Sequence, residues 1–167
     1  VIRSKVLYGL ESAHINDSVI KKLEVFQLKA LRKVLRLKTT YIARSNTNSS
    51  IYETANRKLG EFTNKKIKVK PIVTFREAYR ASKIKRLVRI LNNQGGLADK
   101  LTFQDGLETW KYPGTRQGRP KNTWANQALK ELWERIRINS EFGHREFKGD
   151  DKDIEREIRE WAGKGKM

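Results

Sequence analysis

The stretch DSVIKKLEVFQLKALRKVLRLK, at residues 17–38, has the hydrophobic period of an amphipathic helix. Its apolar residues recur every three or four positions and are predicted to share one face: Val19, Ile20, Leu23, Phe26, Ala30, Leu31, Val34 and Leu37. The basic residues are predicted to lie on the other face: Lys21, Lys22, Lys29, Arg32, Lys33 and Arg36. Such a helix packs on a core and presents a row of cations to an acidic partner, most simply the phosphate backbone of a nucleic acid.

Residues 74–92 repeat this design. Their predicted apolar face contains Ile84, Leu87, Val88 and Leu91. The cations of this helix that we expect to contact the partner are Arg76, Arg80, Lys85, Arg86 and Arg89. The surrounding residues 57–92 hold twelve basic residues against two acidic ones, so the partner surface is predicted to lie in the first two thirds of the chain.

The composition limits the possible functions. The chain has 167 residues, a formal net charge of +18 and 37% hydrophobic residues, so a modest core must tolerate strong self-repulsion that a polyanion would offset. It has no cysteine, which excludes disulfides, cysteine-bound zinc and thiol catalysis and favours a reducing compartment. No apolar run approaches the ~20 residues of a membrane helix, and no signal-peptide pattern opens the chain. We therefore expect no membrane partner and an intracellular location, in the nucleus or in a ribonucleoprotein of the cytoplasm or an organelle.

The pattern along the chain predicts an all-α fold of five to seven amphipathic helices, with a long irregular loop before the last two. Polar residues that favour helix starts precede the predicted helices: Asn16 or Asp17, Ser45 or Asn46, Thr123, and Asp150 or Asp151. Gly60 is predicted to end the second long helix, and residues 67–75 to form an extended connector. We divide the chain into a basic helical unit at 1–92, a loop-rich basic linker at 93–122 and a C-terminal helical pair at 123–167.

Further nucleic-acid contacts are predicted outside the two basic helices. In RQGRPK at residues 116–121, an extended Gly-Arg-Pro between cations could enter a narrow minor groove or clamp an RNA backbone, although a solvated loop explains it as well. The candidates in this segment are Arg116, Arg119 and Lys121. The other candidate cations are Arg44, Lys66, Lys68 and Lys70. Trp110 is the best candidate to stack on a base, whereas the helical spacing of Trp124 and Trp133 favours the core.

No pattern in the chain indicates catalysis. The carboxylates of residues 150–153 could hold a metal ion, but capping of a helix accounts for them more simply. His14 and His144 lack a partner at the spacing of a metal pair or a catalytic dyad. We predict no cofactor, no metal site and no enzymatic activity.

A series of short motifs runs in order through the chain: VLYGLE at 6–11, KLEVF at 22–26, LRKVL at 31–35, RSNTN at 44–48, VRIL at 88–91, LTF at 101–103 and RQGRPKNTW at 116–124. This ordered set resembles the thumb and downstream region of reverse transcriptases from LINE-type (non-LTR) retrotransposons. The resemblance covers most of residues 1–135.

The resemblance implies that residues 1–92 are thumb-like and that the helices hold a template–primer duplex by its backbone. In that family the catalytic aspartates belong to the palm, which would precede residue 1, and no Phe/Tyr-x-Asp-Asp motif occurs here. The chain alone is therefore expected to bind RNA or an RNA/DNA duplex without polymerising.

Two other functions remain open at this point. A basic helical fragment without a palm could serve as an RNA-binding subunit of a large ribonucleoprotein such as a ribosome, in which case RNA and other protein subunits are its partners. Alternatively, the tryptophan-bearing helices at 123–139 and 151–162 could form a protein-interaction module. RNA is favoured over DNA in the first two readings.

Overall fold

The computed structural model describes residue 10 and residues 15–62, 70–109 and 124–164. These residues are mostly helical, which confirms the predicted all-α class. The described α-helices are α1 Asp17–Leu35, α2 Asn48–Phe62, α3 Phe75–Asn92, α4 Leu97–Thr102, α5 Trp124–Ile136 and α6 Lys152–Gly163. They group into two compact units, Ile15–Ala78 and, among the described residues, 79–164. The division predicted at residues 92 and 122 stays a prediction, and residues 110–122 of the linker lie outside the described ranges.

Helix α1 begins where its sequence predicts. The side chain of Asn16 accepts a hydrogen bond from the backbone N–H of Ser18 at 3.2 Å, which satisfies one of the free amides of the first turn. The helix ends at Leu35 and is capped by Arg36, whose φ of 55° is left-handed.

The apolar face predicted for α1 is only partly buried. Ile20 is the one buried member of that face, and Leu28, which is not among its predicted members, is buried as well. Four other members are exposed, namely Phe26 (57%), Val34 (78%), Val19 and Ala30. The prediction that these four residues pack on the core is therefore wrong. Within the described part of the unit Ile15–Ala78, the elements that pack against α1 cover a narrower arc of the helix than its apolar residues span.

Helix α2 begins and ends later in the sequence than predicted. It begins at Asn48 rather than directly after Ser45 or Asn46, and the hydroxyl of Thr47 accepts from the N–H of Ser50 at 3.3 Å. It continues to Phe62, so the predicted stop at Gly60 is wrong.

The described part of the predicted connector, residues 70–74, is neither helix nor strand. The amide of Asn56 donates to the carbonyl of Ile72 at 3.0 Å and accepts from its N–H at 2.6 Å, as a neighbouring strand would. Gln27 of α1 donates to the carbonyl of Val73 at 2.9 Å. Side-chain amides from two helices thus satisfy a backbone that has no strand partner within the described residues.

Helix α3 starts with a capping box and buries the predicted face. The hydroxyl of Thr74 accepts from the N–H of Glu77 at 3.2 Å, and the Glu77 carboxylate accepts from the N–H of Thr74 at 3.0 Å. The buried apolar residues from residue 84 onward are Ile84, Leu87, Val88, Ile90 and Leu91. They share one core cluster with Leu129 and Trp133 of α5 and with Ile154 and Ile158 of α6.

The segment predicted as an irregular loop contains short regular elements in its described part. After α4, strand β1 (Phe103–Asp105) pairs antiparallel with β2 (Glu108–Thr109). Gly106 turns the chain between them with a φ of 51°, and its carbonyl accepts from Arg159 of α6 at 3.2 Å. The hairpin is stabilised because Phe103 and Leu107 are buried in the core cluster. This tertiary contact cannot be predicted from the local composition.

Candidate nucleic-acid interface

Three of the predicted contact residues form one row on α3. Lys85, Arg86 and Arg89 are related by three- and four-residue spacing, so their side chains leave the same side of the helix. Lys85 and Arg89 are exposed, and Arg86 is partly exposed. Within the described residues, no carboxylate forms an ion pair with Lys85 or Arg89. We call these three residues the α3 row.

The surroundings of the α3 row on its helix are small or neutral. Ala81 and Ser82 precede it on the same side, and the exposed Asn92 follows. The only acidic residue of α3 is Glu77, which is at the first turn and is engaged with Thr74. A phosphate backbone could therefore approach the row without meeting a carboxylate or a bulky side chain from α3. Sequence reasoning selected the cations and missed Ser82, although its spacing from Lys85 and Arg86 was a usable signal.

Arg86 is held by its own unit. Its guanidinium carbon lies 5.9 Å from the ring centre of Trp124, at the start of α5. This is within cation–π distance and places the guanidinium beside a ring that packs against the core cluster. Lys85 and Arg89 are thus the two members of the row whose charges are most accessible.

The other two predicted cations of α3 are paired with acids. Arg76 lies 2.7 Å from a carboxylate oxygen of Asp17 and 3.8 Å from one of Glu24, both on α1. Arg80 lies 3.9 Å from Glu131 of α5. These carboxylates partly compensate the two positive charges within the protein. Contact of Arg76 and Arg80 with a ligand stays a prediction, and the ion pairs make it less favourable.

Lys83, one of the twelve basic residues of 57–92, is in the core rather than on the surface. It is 1% exposed and donates to Glu131 at 3.2 Å and to Gln127 at 3.5 Å. Its ammonium also lies 5.4 Å from the ring centre of Tyr79. Lys83 therefore joins α3 to α5 and contributes nothing to the surface row.

Helix α1 carries a second set of cations in the other compact unit. Lys21, Lys22, Lys29 and Lys33 are exposed, as predicted. Arg32 is partly buried, and its guanidinium donates to Asn48 at 3.2 Å. Three further predicted cations are exposed outside the regular helices: Arg36, Arg44 and Lys70.

Six of the predicted contact residues lie outside the described residues. They are Lys66, Lys68, Trp110, Arg116, Arg119 and Lys121. Of the tryptophans that can be described, Trp133 is 1% exposed and donates through Nε1 to the carbonyl of Arg145 at 3.0 Å. Trp124 and Trp161 pack against the same core cluster. The prediction of a core position is confirmed for Trp133, and Trp124 packs against the core cluster while partly buried.

Asp151, one of the three aspartates in residues 150–153, caps α6. Asp151 accepts from the N–H groups of Asp153 and Ile154 at 3.1 and 3.3 Å and lies 3.5 Å from Arg145. Its neighbour Asp150 is exposed and forms no hydrogen bond or ion pair within the described residues. The predicted capping role is therefore confirmed for Asp151.

This difference gives a matched pair of variants. We expect Asp151→Ala to lower the free energy of unfolding by about 1 kcal/mol, because two amides of α6 lose their acceptor. Asp150→Ala should leave it unchanged. Urea unfolding followed by tryptophan fluorescence measures this, since all four tryptophans lie at or after residue 110. Equal losses in the two variants would show that charge in this segment matters and the cap does not.

Two further kinds of site were sought in the described ranges. No group of three or more His, Asp or Glu side chains there could hold a metal ion. None of the helices in those ranges combines the length and apolar character that a membrane crossing requires.

Comparison with models of known protein families, with curated proteins and with solved structures found no match to this chain. Its function is therefore inferred from its own residues and from their resemblance to the motifs named above.

Proposed function

We propose that this chain binds nucleic acid through the phosphate backbone, without reading base sequence. The observation that carries the proposal is the α3 row, in which Lys85 and Arg89 are exposed and free of internal ion pairs among the described residues. The opposite side of α3 is buried in the core cluster, so the row is displayed on a rigid support. Ammonium and guanidinium groups placed in this way position a polyanion and carry no sequence information.

Net charge adds a second, independent support. A formal charge of +18 on 167 residues repels itself and is offset most fully by a polyanion. A merely soluble surface would intersperse both signs of charge. Residues 57–92 instead hold twelve cations against two acids.

We further propose that the chain derives from the thumb and downstream region of a LINE-type reverse transcriptase and that RNA, alone or paired with DNA, is its partner. The ordered motifs between residues 6 and 124 support this origin. On this proposal the chain holds nucleic acid and takes no part in bond formation. Such binding depends strongly on salt because each neutralised phosphate releases counterions.

The lysines of α1 provide one test of the proposal. Replacing Lys22, Lys29 and Lys33 together with glutamine is expected to reduce the slope of log Kd against log salt by about two to three, since each phosphate contact contributes about 0.7–0.9. The same three positions changed to arginine keep the charge and should bind like the wild type. An unchanged slope in the glutamine variant would remove α1 from the interface.

Purification tests the proposal as a whole. The protein is purified with and without nuclease, the 260/280 nm absorbance ratio is read, and the copurifying nucleic acid is sequenced. We expect mixed sequences that leave the protein in high salt. A single defined structured RNA would show dedicated recognition instead of backbone binding. A 260/280 nm absorbance ratio that shows no nucleic acid in either preparation would contradict the proposal.

A further inference from the structure

Helix α1 carries an apolar stripe that faces solvent. Val19 is 43% exposed, Phe26 is 57% exposed and Val34 is 78% exposed. Ala30 is also exposed, and Leu23 is half-buried between Val19 and Phe26. Because these five residues follow one another at spacings of three and four, they lie along one side of the helix. We call them the α1 stripe.

The α1 stripe is separate from the side of α1 that packs inside its unit. That packed side contains the buried residues Ile20 and Leu28 and the half-buried Gln27, which donates to the carbonyl of Val73. Single exposed apolar residues are common on protein surfaces and need no explanation. A line of them at spacings of three and four is instead the pattern by which one helix packs against another.

Cations border the α1 stripe. Lys22 precedes Phe26 by four residues and Lys29 follows it by three, so both are neighbours of its ring on the helix surface. Lys33 continues the same border one turn later. The two acids of α1, Asp17 and Glu24, are engaged by Arg76. The exposed side of α1 therefore offers apolar contacts bordered by positive charge alone.

This charge pattern selects among possible occupants of the stripe. A second copy of the chain packed stripe to stripe would place lysines against lysines, which is unfavourable. A helix whose apolar face is bordered by glutamate or aspartate would instead meet Lys22, Lys29 and Lys33 with opposite charge. Side-chain complementarity of this kind sets partner choice in helix pairs.

We propose that the α1 stripe is the docking site for an acidic amphipathic helix of another protein. The partner's apolar residues cover Val19, Phe26 and Val34, and its carboxylates pair with the bordering lysines. The site is distinct from the tryptophan-bearing helices that sequence alone suggested for protein interaction, since Trp133 of that pair is in the core. It shares Lys22, Lys29 and Lys33 with the proposed nucleic-acid contact of α1, so the acidic helix and a phosphate backbone compete for these lysines, whereas Val19, Phe26 and Val34 serve the helix alone.

The probe is a synthetic helix with leucine at the a and d positions and glutamate at e and g. Its affinity for the full chain is measured by fluorescence anisotropy. A second peptide replaces the leucines with serine, and a third replaces the glutamates with lysine. We expect binding of the first peptide only, because the second lacks apolar contacts and the third has the wrong charge.

Substitutions in α1 then locate the site. The double variant Phe26→Ser/Val34→Ser should weaken the first peptide at least about tenfold, a loss typical of removing buried apolar contacts. Val25→Ser is the matched control, since Val25 is 50% exposed but lies about 100° around the helix from Phe26. Far-UV circular dichroism verifies that each variant keeps its helix content.

Three results would overturn the proposal. One is equal binding of the serine peptide, which would reduce the contact to charge. Another is an equal loss of affinity in Val25→Ser. The third is a loss of binding to an RNA oligomer or to vesicles of anionic lipid in the Phe26→Ser/Val34→Ser variant, which would assign the stripe to that ligand. Because RNA binding is measured on the same variants, failure of this proposal and failure of the nucleic-acid proposal are distinguishable.

Discussion

Changing Lys85 and Arg89 together to glutamine is expected to weaken nucleic-acid binding by roughly 50-fold near 0.1 M salt. Each lost phosphate contact lowers the slope of log Kd against log salt by about 0.9 for a duplex, so two contacts lower it by about 1.8. Near 0.1 M salt, one logarithmic unit below 1 M, this change in slope corresponds to the stated loss of affinity. The loss should be the same for unrelated sequences, because backbone contacts do not distinguish bases. Arg86 is left in place since its contact with Trp124 gives it a structural role as well.

The control for this variant removes the same charge elsewhere in the same unit. Lys130 of α5 and Lys152 of α6 are exposed and have no ion pair within the described residues. The variant Lys130→Gln/Lys152→Gln should lose far less affinity, because only the general field of the protein changes. Equal losses in the two double variants would mean that binding follows net charge and that the α3 row is no interface.

The second large effect is expected for the stability of the unit 79–164. Glu131→Gln should lower the free energy of unfolding by about 3 kcal/mol, because it removes the counter-charge of a lysine that is 1% exposed. Lys83 would keep Gln127 at 3.5 Å as its other hydrogen-bond acceptor, which a buried ammonium cannot use as a counter-charge.

Substitution of the other partner, Lys83, should lower the free energy of unfolding much less. In Lys83→Met the methionine fills the space of the lysine stem, and Glu131 keeps solvent and Arg80 at 3.9 Å. The double variant Lys83→Met/Glu131→Gln should recover most of the stability lost in Glu131→Gln, since no unpaired buried charge is left. Urea unfolding followed by tryptophan fluorescence measures all three. Similar costs for the two single variants, with additivity in the double, would contradict the assignment of Lys83 as a buried charge.

The helices were predictable from the sequence because their apolar residues repeat with the helix period. Ile84, Leu87 and Val88 are buried as their spacing predicts, and Lys85 and Arg89 are exposed opposite them. Asn16 and Asp151 cap their helices as expected, since a side-chain oxygen at the start of a helix acts locally. Local signals of this kind need no knowledge of the partner element.

Other features depend on which elements meet, which periodicity does not contain. Lys83 is buried because Glu131 and Gln127 of α5 lie opposite it, and nothing near residue 83 indicates this. Phe26 is exposed because the unit Ile15–Ala78 covers only part of the apolar face of α1. The hairpin at Phe103–Asp105 and Glu108–Thr109 is too short for its alternation to be recognised.

We propose above all that the chain binds a phosphate backbone. The most direct test is the affinity of the nuclease-treated wild-type protein for two oligonucleotide duplexes of unrelated sequence, measured over a range of salt concentrations. The account predicts that log Kd rises linearly with log salt, with the same slope of several units for both duplexes. Binding that is absent at low salt, or that is tight and independent of salt for one sequence only, would contradict it.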